Sequence, residues 1–194
     1  MATYTIAMTG ASGASYGLRV LQALIQGGHN VFFCITSDGM AILHDETGLM
    51  LTGSEAEIQS TLERHLGAKE EQLRYFSEDN MYAPIASGSA KVDAMVVVPC
   101  SMKALSSIAH GFASNLIERA ADVCLKERRK LILCVRDSPF SRIHLANMLQ
   151  AHDAGAEIFP IIPAFYHRPG TIKDLALQFC CRVLVHLGLD QNSQ

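Results

Sequence analysis

Short continuous apolar runs alternate along this chain with longer stretches in which apolar residues return every three or four positions. The runs are residues 5–8, 29–36 (HNVFFCIT), 92–98, 130–135 (KLILCV) and 157–162 (EIFPII). An unbroken apolar run reads as a strand covered on both faces, which is the signature of a parallel sheet. Between the first two runs, Leu18, Leu21, Ala23, Leu24 and Ile25 make one apolar side of a helix, which Gly27-Gly28 ends. Ser37-Asp38 can cap a second helix over 40–47. Helices are also predicted over 105–113 and 115–128, broken near Gly111, and over 141–153. A last helix starts at Thr171 and runs to about Leu187. The section 49–80 is the least apolar. It holds one amphipathic surface helix over 54–66, where Ser54 and Glu57 form a capping box. Residues 81–90 (MYAPIASGSA) read as a small-residue loop.

Strand and helix in turn give an α/β fold, a parallel sheet with helices on both faces. A length of 194 residues without linker or repeat favours one domain over 1–194.

Composition narrows the function. A formal charge of −3 argues against nucleic-acid binding through bulk charge, so any anion site depends on a few local Arg and Lys. The six cysteines form no C-x-x-C and mostly sit inside apolar runs, as buried free thiols of a reducing compartment would. The eight histidines form no H-x-x-x-H or H-E-x-x-H pair, so no metal site is expected. No basic, apolar leader opens the chain, and no apolar run reaches the roughly 18 residues of a membrane helix. A cytoplasmic, soluble protein is expected.

Candidate chemistry clusters after the strands. Residues 8–17 (MTGASGASYG) join strand to helix through a loop of small residues. Such a helix entrance offers backbone N–H groups and partial positive charge to a phosphate. The spacing G-x-x-G-x-x-x-G is neither the dinucleotide fingerprint nor a P-loop, and suits a single phosphate. The plain alternative is a helix entrance with Ser15 as N-cap. Ser101 to Ala104 repeat the arrangement after the third run. Arg136-Asp137 follow the fourth, where ligands of open sheets bind: the Arg suits a phosphate and the Asp a proton transfer, with a structural ion pair of equal weight. Arg119, Asp122 and Lys126 share one helix face, with the two cations about 10 Å apart. Glu46 lies near the end of its helix, where the dipole disfavours a carboxylate. Arg182 interrupts an apolar helix, snorkelling to solvent or aimed at a ligand or a neighbouring subunit. These residues alone indicate an α/β enzyme for a phosphorylated cofactor, with basic groups to spare for a second anion.

The stretches MTGASGASYGLR, HDET, APIASGS, VVVPCSMKALS, NLIERAADVCLKERR, LILCVRDSPFSRIHLANM and PAFYHRP, in that order, resemble the flavin prenyltransferases of the UbiX/Pad type. The resemblance covers nearly the whole chain. It implies a Rossmann-like, flavodoxin-like three-layer α/β/α fold and a homododecamer with active sites between subunits. The implied reaction transfers a dimethylallyl group from dimethylallyl phosphate to N5 and C6 of reduced FMN, without a metal. The prenylated FMN would serve a UbiD-type decarboxylase. By motif match, Gly10, Ala11, Ser12, Thr36, Ser101, Met102, Lys103, Ala104 and Arg136 would hold FMN. Tyr166 and Arg182 would hold the prenyl phosphate, helped by Arg119 and Lys126. Ser12, Glu46 and Asp137 would assist proton movements. Two positions depart from relatives: Asp137 stands where Glu is common, and Met81 where some carry Trp. The alternatives are a cysteine-type decarboxylase of the same fold, whose relatives carry PASANT where this chain has PCSMKA, and a non-catalytic flavin-binding subunit.

Overall fold

The computed structural model describes residues 1–189; residues 190–194 of the expected 1–194 domain lie outside them. Among the described residues there are six strands: β1 (Thr3–Met8), β2 (Asn30–Ile35), β3 (Leu73–Ser77), β4 (Ala94–Cys100), β5 (Lys130–Val135) and β6 (Ala156–Ile158). All neighbours pair parallel, in the order β3-β2-β1-β4-β5-β6. The helices are α1 (Ala14–Gln26), α2 (Ser37–Thr47), α3 (Glu55–Leu66), α4 (Met102–Ala109), α5 (Leu116–Lys126), α6 (Arg142–Asp153) and α7 (Ile172–His186).

Side chains alternate across each strand, so the sheet builds two cores. Ile6, Met8, Val96, Val98, Ile132 and Cys134 face α1, α2, α3 and α7. Ala7, Met95, Val97, Leu131 and Leu133 face α4, α5 and α6. This is the expected three-layer α/β/α fold. Ile6, Val96 and Ile132 are wholly buried, as continuous apolar runs require.

Several boundaries differ from those read in the sequence. β3 was not anticipated: it is an edge strand whose second residue is the charged Arg74, lying over the rings of Phe32 and Phe76 at 5.9 and 5.3 Å. β6 is shorter than 157–162 because it stops before Pro160. α4 starts at Met102 because Ser101 caps it, its hydroxyl accepting from the Ala104 N–H at 3.2 Å. α2 is capped by Thr36 rather than Ser37-Asp38. The capping box of Ser54 and Glu57 forms as expected. Of the six cysteines, five are buried and Cys181 is half-buried. Burial pushes the Cys100 thiol up to about 12 and the Cys124 thiol up to about 11.

Candidate functional site

The chain leaves β1 toward one edge of the sheet and β4 toward the other, so a crevice opens between their carboxyl ends. A cavity of about 330 Å³ lies there. Its lining comes from Thr9-Gly10, the first turns of α2 (Thr36 to Asp38) and α4 (Ser101 to Ala104), Glu78, and the start of α5. Thr9, 3% exposed, holds the floor together. Its hydroxyl donates to the Pro99 carbonyl at 3.0 Å and accepts from the Ser101 N–H at 2.7 Å. It therefore ties the end of β1 to the start of α4. Gly10 has no room for a side chain, since a Cβ would stand 2.7 Å from Asp38 Cβ. Three helix N-termini, those of α2, α4 and α5, thus converge on one cavity, with Lys103 as the cation in its lining.

The entrance of α1 is different. Its cap is Gly13, in the left-handed region at φ 114°, and not Ser15, which lies inside the helix. Glu46, at the end of α2, reaches across and fills that entrance. Its carboxylate accepts from the Gly13 N–H at 3.0 and 3.1 Å and from the Ala14 N–H at 2.8 Å. The sequence placed an external phosphate at this loop; in the fold these donors already hold the chain's own carboxylate. The position of Glu46 is thereby explained. It is poorly placed on its own helix and well placed on the positive end of α1. Ser12 is exposed, one residue before this contact, and Ala11 is buried.

The remaining expected residues fall into separate groups. Arg136 and Asp137 are exposed after β5. Asp137 accepts from the Ser138 N–H at 2.8 Å and stands 3.9 Å from His144, so it makes no ion pair with Arg136 among the described residues. Tyr166 and Arg182 share a second cavity, about 760 Å³, between α7 and the segment after β6. Tyr166 is 71% exposed and packs on His167, with ring centres 4.1 Å apart. Arg119 donates to the Ala86 carbonyl and to Asp122, both at 3.0 Å, while Lys126 is exposed. Neither Arg119 nor Lys126 lines either cavity. The sequence reading missed Thr9, Glu78, Asn115 and Glu118 as parts of the first cavity. Only Thr9 carried a local signal, as the first polar residue after an apolar strand.

The flavoprotein family model matches residues 2–176. The flavin prenyltransferase UbiX of Pseudomonas aeruginosa is 46% identical over 188 residues, covering 97% of this chain and 90% of that protein. The chain belongs to the UbiX flavin prenyltransferase family. Within the family, the crystal structure of AnUbiX (PadA1) in complex with FMN and dimethylallyl pyrophosphate is 40% identical and superposes with a TM-score of 0.86. The match covers 99% of this chain and 95% of that one. A dodecameric FMN-dependent UbiX-like decarboxylase from Escherichia coli O157:H7 is 36% identical at a TM-score of 0.84, covering 97% and 95%. The UbiX relationship therefore spans both layers of helices and all the loops described above.

Proposed function

We propose that this chain is a flavin prenyltransferase that binds FMN in the crevice between β1 and β4. The observation that carries this is the convergence of the α2 and α4 entrances on one cavity beside Lys103. The residues fit the group. The Met102 and Lys103 N–H groups, in the uncapped part of the first turn, offer donors to an oxyanion. Gly10 lets a ligand approach the backbone. Gly10, Ala11, Ser12, Thr36, Ser101 to Ala104 and Arg136 are the residues that hold FMN in this reading.

When bound, reduced FMN would supply two nucleophilic atoms: N5 would take the allylic carbon as its C–O bond breaks and phosphate leaves, and C6 would take the far alkene carbon, the π bond being spent as the middle carbon gains a proton and C6 loses one. Tyr166 and Arg182 hold that phosphate from the second cavity, where a hydroxyl and a guanidinium can stabilise its growing charge. Ser12 and Glu46, together at the α1 entrance, and Asp137, on the loop after β5, move protons at the flavin edge. Holding the two substrates in fixed positions relative to each other supplies their orientation.

Arg119 and Lys126 lie apart from both cavities of one chain and act from a neighbouring subunit. The outer face of α6 supports assembly, since Ile143 is 70% exposed and Leu149 61%. The oligomer of this reading is a dodecamer, the recipient of the product is a UbiD-type decarboxylase, and the compartment is the cytoplasm. No helix among the described residues is long and apolar enough to cross a membrane. The test is anaerobic incubation with reduced FMN and dimethylallyl phosphate, followed by mass spectrometry of the flavin. A flavin heavier by one prenyl unit supports the reading. Good FMN binding without that product refutes it.

A further inference from the structure

Glu78 stands in the first cavity as Glu46 stands at α1. It arrives on the loop after β3, and one carboxylate oxygen accepts from the Ser37 N–H, in the first turn of α2, at 2.6 Å. The other oxygen is 3.5 Å from the Asn115 side-chain amide. Its backbone is pinned separately, because its carbonyl accepts from the Leu116 N–H at 2.7 Å. The side chain can therefore leave Ser37 without moving the loop. The cavity also holds the carboxylates of Asp38 and Glu118, the latter accepting from the Ser114 N–H at 2.8 Å. Against these three acids stands the single lysine of the lining, Lys103. A phosphate at the α2 entrance competes with Glu78 for the same donor and is repelled by its charge at close range.

We propose that Glu78 is an internal placeholder at the α2 entrance that a ligand phosphate must displace, so that it limits how strongly phosphorylated flavin is preferred over unphosphorylated flavin. This rests on the crevice being the FMN site. An uncharged side chain of the same length removes the repulsion and keeps an acceptor for Ser37. Gly13 and Ala14 offer no comparable exchange, because Glu46 approaches them from outside the cavity lining.

The experiment titrates FMN and riboflavin into wild type, Glu78→Gln and Asp79→Asn, reading flavin fluorescence. Asp79 is the exposed neighbour and controls for bulk charge. Glu78→Gln is expected to tighten FMN about tenfold, or 1.4 kcal/mol, and to leave riboflavin unchanged. Asp79→Asn is expected to change neither. Equal changes for both flavins, weaker FMN binding in Glu78→Gln, or the same gain in Asp79→Asn each overturn the placeholder while the crevice remains the flavin site. A wild type that binds neither flavin overturns the crevice reading and the placeholder with it.

Discussion

The entrances of α1 and α4 follow adjacent strands and open at the same end of the sheet, yet the N–H donors of only one are available to a ligand. At α1 the Gly13 and Ala14 donors are held by Glu46. At α4 the cap is the short Ser101 side chain, which engages Ala104 and leaves the mouth of the helix in the cavity. The difference lies in the capping partner. A carboxylate brought from another helix satisfies donors and cancels the positive end of the dipole, whereas a serine satisfies one donor and leaves the field in place. A glycine-rich loop thus marks where a chain can receive an anion, and the tertiary fold decides whether the anion is its own.

Changes that merge or separate the two entrances test this contrast. Thr9→Val should have the largest effect, because it removes the hydroxyl that ties β1 to α4 and leaves the half-buried Ser101 N–H without its acceptor, while the Pro99 carbonyl keeps only the backbone N–H of residue 9. Urea denaturation should show a loss of about 2–3 kcal/mol, with FMN affinity falling as α4 shifts. An unchanged midpoint and affinity would mean that α4 is held by other contacts. Glu46→Ala should cost about 1 kcal/mol through the exposed donors of α1. Glu46→Gln should cost less, keep FMN affinity and slow prenyl transfer. Wild-type turnover in Glu46→Gln would remove it from the chemistry and leave it a cap. Ser12→Ala should leave stability as it is, weaken FMN binding modestly and slow turnover even at saturating FMN; wild-type turnover at saturating FMN would take Ser12 out of the mechanism.

The smallest effect concerns a third entrance, that of α7. Asp174 accepts from the Gly170 and Thr171 N–H groups at 2.9 and 2.8 Å, within a capping box with Thr171. Hydrogen bonds with Thr171, its side chain first, hold this carboxyl below its usual value of 3.8. A lowered carboxyl contributes stability that is present above its unfolded value and lost as pH falls through the folded one. Asp174→Asn should therefore lower stability slightly at pH 7, where the contribution is present, and converge with wild type as pH falls below about 4, flattening the acid limb. An unaltered acid limb would show that the box does not couple to unfolding.

The layers of the fold were legible because each inner strand is apolar on both sides, as Val96 and Val97 show by packing into opposite cores. β3 was not, since an edge strand needs only one covered face and Arg74 breaks its apolar pattern. The site was legible as a set of loops after strands. What occupies them was not. Glu46 meets Gly13 across 33 residues and Thr9 meets Ser101 across 92. No local pattern announces either pairing, and the acidity of the first cavity comes from Asp38, Glu78 and Glu118 on three separate segments.

The most direct test of the contrast is a crystal structure with FMN bound. The phosphate should lie in the crevice between β1 and β4, against the first turns of α2 and α4, with Glu46 still on Gly13 and Ala14. A phosphate on Gly13 and Ala14, with Glu46 displaced, would contradict the account.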